Sequence, residues 1–133
     1  MKTISDEELI RQATEVINPR ELSPSAEAGG VGSALVTDKG TVFTGVCIDT
    51  HCSMGYCAEH NAIGTMVTAG ESCIISIVAV KDGVVISPCG RCREFIWQMH
   101  PENKNTRILL KDGKVKLLTE LLPEHWKEGE THE

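Results

Sequence analysis

Two short segments, Cys57-Ala58-Glu59 and Pro88-Cys89-Gly90-Arg91-Cys92, constrain the fold of this 133-residue chain more than any other feature. Together they supply three thiols and one carboxylate. Three thiolates around a zinc ion leave a fourth position open for water, as in catalytic sites, whereas a structural site usually closes that position with another side chain. The chain must therefore fold so that these distant segments meet.

Each segment follows a strand-and-loop region and opens a predicted helix. Helix N-termini carry partial positive charge and free N–H groups, which stabilise thiolates and lower their pKa values. Cys89 and Cys92 are three positions apart at a helix start, so both can face one ion. Because three thiolates leave a zinc site negatively charged, nearby cations are expected, and the candidates are His60, Arg91 and Arg93.

Glu59 lies two residues after Cys57 and is predicted to be the general acid–base. It would accept a proton from water and return it to a ring nitrogen and then to a leaving amine. A non-ligating glutamate combined with a Pro-Cys-x-x-Cys segment is the arrangement of zinc deaminases. Two alternatives remain: Glu59 as an acid favoured only by the helix dipole, and a structural zinc whose fourth ligand is His51, Cys52 or His60.

The composition argues against several other classes of protein. A formal net charge of −6 argues against a nucleic-acid-binding surface, which needs a basic stripe. It is compatible with a small-molecule substrate, which is the expected partner. The N-terminal residues are acidic and lack the apolar core of a signal peptide, and no apolar run reaches the length of a membrane span. Cys89-x-x-Cys92 is typical of metal ligation in a reducing compartment, so we expect a cytoplasmic protein with no membrane contact.

Hydrophobic periodicity and turn signals predict alternating helices and strands. A capping box at Ser5 and Glu8 begins the first helix, which ends at Asn18-Pro19. Cys73–Val80 is apolar enough for a central strand covered on both faces. The other predicted strands are Val31–Thr37, Thr41–Ile48, Val84–Ile86, Arg107–Leu110 and Lys114–Leu117, and the later helices lie near 57–69, 90–100 and 120–122, the last capped by Thr119.

This order predicts one domain over residues 1–133, with a three-layer α/β/α architecture and a mixed sheet of about five strands. A hairpin turn at 38–40 joins the first two predicted strands. Residues 20–30 contain Pro24, Ser25 and the pair Gly29-Gly30, so an irregular loop is expected there. Residues 49–56 form the loop that delivers Cys57.

With their surroundings, these motifs resemble the cytidine deaminase superfamily, and more narrowly the small tetrameric cytidine deaminases and the blasticidin S deaminases. The similar segments are Val-Gly-Ser-Ala-Leu at 31–35, Phe-Thr-Gly-Val at 43–46, the two cysteine segments with their neighbours to Glu94, and Glu-Leu-Leu-Pro at 120–123. The resemblance implies zinc on Cys57, Cys89 and Cys92 with Glu59 as proton carrier. It also implies hydrolytic deamination of a cytosine-type nucleoside or related aminated heterocycle by a homotetramer with shared active sites.

Several positions depart from the cytidine deaminase pattern. Cys47 and Asp49 stand where the family usually has an Asn and a Glu that hydrogen-bond the ribose. Asp49 can still accept hydroxyl donors, but Cys47 cannot replace an amide. The stretch Ala28-Gly29-Gly30 replaces an aromatic wall for the base, and His60 stands where an Arg is common. A substrate other than ordinary cytidine is therefore expected.

The remaining substrate contacts are predicted from the backbone near Ala58 and Ser87. The resemblance to blasticidin S deaminases suggests that Trp126 covers the pocket, although a surface or interface anchor is the simpler interpretation of an exposed tryptophan. Two alternative functions stay open. One is a blasticidin S-type aminonucleoside deaminase, and the other, outside enzymes, is a non-catalytic zinc-stabilised binding module.

Overall fold

Four helices and seven strands make up the regular structure within residues 4–129, the part of the chain that the computed structural model describes. The helices are α1 (Asp6–Glu15), α2 (Ala58–Thr68), α3 (Gly90–Met99) and α4 (Leu118–Leu121). The strands are β1 (Arg20–Ser23), β2 (Ala26–Thr37), β3 (Val42–Thr50), β4 (Ile74–Lys81), β5 (Val84–Ile86), β6 (Arg107–Leu109) and β7 (Val115–Leu117). The two ends of the predicted single domain, residues 1–3 and 130–133, lie outside the described residues.

All seven strands belong to one mixed sheet. β2 pairs antiparallel with β3 through the predicted hairpin and with β4 along its other edge. β6 pairs parallel to β4, and β7 pairs antiparallel to β6. β1 extends the sheet beside the start of β2, and β5 pairs with the end of β4. The mixed sheet is confirmed, but the prediction of about five strands was too low.

Residues 20–30 are not the irregular loop that the sequence suggested. β1 and the first part of β2 pair across a turn at Pro24 and Ser25. The four side chains of β1 are all exposed, so no apolar alternation marks the strand in the sequence. Backbone pairing to β2, and not side-chain burial, places β1 in the sheet.

Helices cover both faces of the sheet, which confirms the three-layer α/β/α architecture. Successive side chains of a strand point to opposite faces, so β2 contributes to both layers. Ala34 and Val36 pack with Leu9 of α1 in one cluster, and Leu35 packs with residues of α2 and α3 in the other. The second cluster fixes α2 against α3 and so brings their N-termini to the same edge of the sheet.

The last helix begins two residues earlier than predicted. Leu117 is the residue before α4, and Thr119 lies inside the helix rather than capping it. The carboxylate of Glu120 accepts a hydrogen bond of 2.8 Å from the backbone N–H of Leu117. None of the helices in residues 4–129 has both the length and the apolar character that crossing a membrane requires.

Candidate active site

The thiols of Cys57, Cys89 and Cys92 converge where α2 and α3 begin. Cys57 and Cys89 are the residues immediately before the two helices, and Cys92 is buried in the first turn of α3. The Cys89 sulfur lies 3.7 Å from that of Cys57 and 3.5 Å from that of Cys92, and all three sulfurs lie within 4.8 Å of one another. Tetrahedral zinc with Zn–S bonds of 2.3 Å requires sulfurs about 3.8 Å apart. The three thiols are therefore positioned to bind zinc.

No fourth side chain joins this cluster among residues 4–129. Within this part of the chain, no histidine, aspartate, glutamate or further cysteine places a ligand atom within 4.8 Å of all three sulfurs. His51 and Cys52, suggested as closing ligands, lie outside the group. The geometry therefore favours an open metal position over a closed structural one.

Burial opposes the ionisation of all three thiols, and hydrogen bonds offset it at Cys89. Burial is the largest influence at Cys57 and Cys92 and raises the pKa of both. At Cys89 burial also opposes ionisation, but it is outweighed by hydrogen bonds from the backbone amide and thiol of Cys92, the thiol of Cys57 and the backbone amide of Arg91, which together lower the pKa. Backbone amides at the start of α3 thus contribute to the lowered pKa of Cys89, as expected for a helix start, whereas burial dominates at Cys57 and Cys92. Coordination to a divalent cation deprotonates a thiol outright and would offset the burial cost.

Glu59 is buried in the wall beside the thiols. Only 4% of the residue is exposed, and it lies in the first turn of α2. Burial raises the pKa of its carboxyl group, although its own backbone amide and the Cys92 thiol act in the opposite direction. A carboxyl group with a raised pKa holds and releases a proton closer to neutral pH.

His60 contacts a thiol and is not part of the three-thiol group. Its Nδ1 atom lies 3.2 Å from the sulfur of Cys92. The imidazole stacks on the ring of Phe95 with centroids 4.3 Å apart and planes at 7°. Burial, followed by the charge of Arg91, lowers the pKa of His60, which favours the neutral ring. Neutral imidazole can still donate a hydrogen bond to sulfur through Nδ1–H.

Arg93 supports the loop that carries Cys89. Its Nε donates to the carbonyl oxygen of Pro88 and its Nη2 to the hydroxyl of Ser87, both at 2.9 Å. Its Nη1 donates to the carbonyl oxygen of Leu121 at 3.3 Å. Arg93 thus fixes the Ser87-Pro88 backbone, a role that the sequence did not indicate.

A cavity of about 810 Å³ opens beside the thiols. One end contains Cys57, Ala58, Glu59, Ser87 and Cys89, and the wall continues along β3 through Cys47 and Asp49. Its volume lies within the usual range for small-molecule sites. The structure therefore gathers four of the five predicted substrate-binding residues, Asp49, Cys47, Ala58 and Ser87, around one space with the predicted catalytic residue.

Other residues of this cavity were not predicted from the sequence. Arg20, Glu21 and Glu27 come from the segment expected to be a loop, and Lys81 comes from the end of β4. Glu21 pairs with Glu27, and Glu27 with Asp49, so three carboxylates stand in register on adjacent strands. Only strand register brings these side chains together, and register across strands is not visible in one sequence.

Cys47 fills a bulge in the neighbouring strand. The backbone N–H of Val31 donates to its sulfur at 3.3 Å, and the same sulfur lies 3.9 Å from Asp49 Oδ2. Cys47 therefore provides a soft acceptor within the cavity wall and occupies the position where the family usually has an amide.

Trp126 does not line this cavity within its own chain. It is 58% exposed, and its Nε1–H donates to Glu94 Oε2 at 3.0 Å. The neighbouring His125 accepts from the Lys127 amide at Nδ1, so its Nε2–H faces Glu94 Oε1 at 2.8 Å. These contacts hold the C-terminal segment on α3, and the predicted role of Trp126 over a pocket stays a prediction.

Comparisons with known proteins identify the family. The family model for the cytidine and deoxycytidylate deaminase zinc-binding region matches residues 3–106. The chain belongs to this family. It is 35% identical over 116 residues to a blasticidin-S deaminase of Bacillus cereus, covering 77% of this chain and 81% of that protein. It is also 31% identical over 98 residues to a cytidine deaminase of Halalkalibacterium halodurans, covering 70% of this chain and 74% of that protein.

Solved structures of the family share this fold. A cytidine deaminase from Mycobacterium tuberculosis superposes with a TM-score of 0.76 at 25% identity, covering 91% of this chain and 96% of that one. One from Burkholderia pseudomallei gives a TM-score of 0.72 at 27% identity, with 91% and 98% covered. The chain is thus a zinc-dependent hydrolytic deaminase, and Cys57, Cys89 and Cys92 are the thiols positioned for its zinc.

Proposed function

We propose that this deaminase acts on a cytosine-type nucleoside or a related aminated heterocycle and releases ammonia. The observation that carries the proposal is the position of Glu59, buried in the wall of the same cavity as the three converging thiols. When bound by Cys57, Cys89 and Cys92, zinc supplies the Lewis acidity that lowers the pKa of water toward hydroxide. Proton transfer and substrate positioning are then the tasks of the chain's own residues.

Glu59 performs the proton transfers in this proposal. Its carboxylate takes a proton from the attacking water and delivers it to the ring nitrogen. It then takes the proton of the added hydroxyl group and delivers it to the amine, which departs as ammonia while a carbonyl forms on the ring. Burial supports this role because it raises the pKa of the carboxyl group and keeps bulk water away from it. The carbonyl and N–H groups near Ala58 and in residues 87–89 hold the ring, and Arg93 keeps the second of these segments in place.

Recognition of the group attached to the ring is assigned to β3. Asp49 accepts hydrogen bonds from hydroxyl groups of the ring-attached group, and Cys47 contributes a polarizable surface to the cavity wall. This pairing supports a substrate other than ordinary cytidine, since a site without the amide loses a polar partner for ribose. The second candidate is therefore a blasticidin S-type aminonucleoside, which the 35% identity to the Bacillus cereus protein also favours.

We also propose that residues 1–133 act as one catalytic domain within a cytoplasmic homotetramer. Six cysteines without a disulfide agree with a reducing compartment. Large exposed apolar side chains, among them Met54 and Trp126, support burial against further copies. In such an assembly Trp126 would reach the cavity of a neighbouring subunit.

The test is ammonia release from a panel of cytosine, cytidine, deoxycytidine, blasticidin S and other aminated heterocycles. The proposal expects turnover of at least one cytosine-containing member that depends on zinc and on Glu59. Zinc-loaded protein that turns over none of them would contradict the substrate class. A zinc site with four protein ligands would instead support the binding-module alternative, and metal-edge absorption spectroscopy distinguishes the two coordination sets.

A further inference from the structure

The first half of β2 contains a wide bulge that faces the cavity. Ala28 pairs with Ile48 and Gly32 pairs with Val46, so three residues of β2 stand opposite a single residue of β3, Cys47. On its other edge, the bulge lies in the gap between β1 and β4. Bulges near active sites commonly redirect the backbone and the side chains beside it.

Gly29 fixes the shape of this bulge. Its φ angle of +91° favours glycine, and a Cβ atom there would lie 2.1 Å from the carbonyl oxygen of Asn18. Its own carbonyl accepts a hydrogen bond of 2.9 Å from the Asn18 N–H. A side chain therefore cannot be placed at residue 29 without moving the backbone.

Gly30 differs from Gly29 in both respects. Its φ angle is not in the left-handed region, and an added Cβ would meet no atom within 4 Å. Gly30 also lines the cavity. The backbone would accept a side chain at this position, and the side chain would occupy cavity space. The open volume beside the bulge therefore depends on the missing side chain of Gly30.

Strand register places the bulge beside the β3 wall of the cavity. The bulge stands opposite Cys47, and Asp49 lies two residues further along β3. Gly30, Cys47 and Asp49 all line the same cavity. Because recognition of the group attached to the ring is assigned to Cys47 and Asp49, Gly30 is placed to contact that group as well.

We propose that Gly30 is a specificity-determining residue. Because it has no side chain, the cavity has room for aminated heterocycles that carry a ring-attached group bulkier than ribose. The proposal rests on the deaminase function proposed above and names the substrate class that this cavity accepts. It concerns the size of the attached group and not the chemistry at the amine-bearing carbon. Filling the position should therefore select among substrates without changing zinc binding.

The test compares Gly30→Ala and Gly30→Leu with the unsubstituted chain. KM, or Ki where a compound is not turned over, is measured for cytidine and for blasticidin S, whose attached group is longer than ribose. Gly30→Leu should raise the value for blasticidin S roughly tenfold to hundredfold more than the value for cytidine, and Gly30→Ala should give an intermediate ratio. Gly64→Leu is the matched control, because an added Cβ there also meets no atom within 4 Å and Gly64 does not line the cavity.

The outcomes separate this proposal from the function on which it rests. If the unsubstituted chain neither turns over nor binds either compound, the proposed substrate class fails and the role of Gly30 fails with it. If the chain is active but the ratio between the two compounds is the same in Gly30→Leu, only the role of Gly30 is overturned. Equal losses for both compounds, together with lost zinc or a lower Tm, would assign Gly30 a purely structural role and would also overturn the proposal.

Discussion

The two ends of the cavity are built in different ways. At the reaction end, Cys57, Glu59, Cys89 and Cys92 all lie at or next to the first turns of α2 and α3, where short motifs fix their relative positions. At the other end, the wall comes from three strands, and residues far apart in sequence meet only through register and the β2 bulge. In the proposed function, the first end would supply the chemistry and the second would recognise the group attached to the ring. Substitutions at the two ends should accordingly change different quantities.

The largest effect is expected from Cys89→Ala. Removing one of three thiols should reduce zinc content far below stoichiometric and bring turnover to the background rate, because the remaining thiols do not complete the site. Zinc is measured by atomic absorption and turnover by ammonia release. Cys73→Ala, outside the three-thiol group, is the control and should retain both. A Cys89→Ala protein with full zinc content would contradict the assignment of Cys89 as a zinc ligand.

Glu59→Gln should separate metal binding from proton transfer. The amide keeps the size of the side chain but cannot carry the proton, so kcat should fall by about 10²–10⁴ while zinc stays bound. The exposed residue Glu102, outside the cavity, provides a matched control as Glu102→Gln. If Glu59→Gln retained normal kcat, another residue would have to carry the proton.

Arg93→Ala tests whether a residue that only holds the Cys89 loop in place contributes to zinc binding and activity. The substitution removes the hydrogen bonds to Ser87, Pro88 and Leu121, so the Cys89 loop should lose its fixed position. Zinc affinity or activity should fall about 10–100-fold, as for other residues that orient metal ligands. Competition with a chelator measures the affinity. Arg11→Ala on the exposed face of α1 is the control, and an equal loss there would show a non-specific effect.

Asp49→Asn tests the other end of the cavity, where the wall comes from strands. Loss of the carboxylate should raise KM about tenfold for substrates with hydroxyl groups while kcat and zinc content stay near their original values, since the reaction end is untouched. Steady-state ammonia release gives both constants. A fall in kcat with unchanged KM would place Asp49 in the chemistry and would remove the distinction between the two ends.

The smallest effect is expected far from both ends, at the ion pair of Asp6 with Arg107. The two terminal guanidinium nitrogens of Arg107, Nη1 and Nη2, each lie 2.9 Å from one carboxylate oxygen of Asp6, and this contact lowers the pKa of Asp6 despite the opposing effect of burial. A depressed folded-state pKa stabilises the protein above the unfolded pKa of about 3.9, and that stability is lost as pH falls through the folded value. Asp6→Asn should therefore cost about 0.2–1 kcal/mol at neutral pH and progressively less in acid.

Urea unfolding at pH 7 and at pH 3 measures this difference. Activity at neutral pH should be unchanged, because the pair does not line the cavity. A cost that is the same at both pH values would show that packing, and not charge, accounts for the contribution of Asp6.

The layered fold was predictable where burial leaves a periodic pattern. α1 shows one apolar face, and Ile74–Lys81 is nearly all apolar because it is covered on both sides. β1 was missed because its four side chains are exposed and its place depends on backbone pairing. The extra strand matters for function, since it carries Arg20 and Glu21 into the cavity wall.

The candidate site divides in the same way. The zinc thiols and Glu59 were named from two motifs, because ligand spacing and helix-start chemistry are local properties of a sequence. Arg93 and His60 were expected near the thiols, but their partners were not, since hydrogen bonds to Leu121 and Cys92 join residues that are about thirty positions apart. Which side chains support the ligands is decided by packing.

By itself, the sequence determined the reaction type, the metal and the layered α/β architecture, because each depends on short motifs or on periodic burial. Only the tertiary structure decided which strands line the substrate end of the cavity. Gly29 and Gly30 read as loop formers in the sequence, yet the fold uses one to bend the backbone around Asn18 and leaves the other facing open space. That difference arises from backbone geometry and strand register, which depend on the whole sheet and not on the two residues alone.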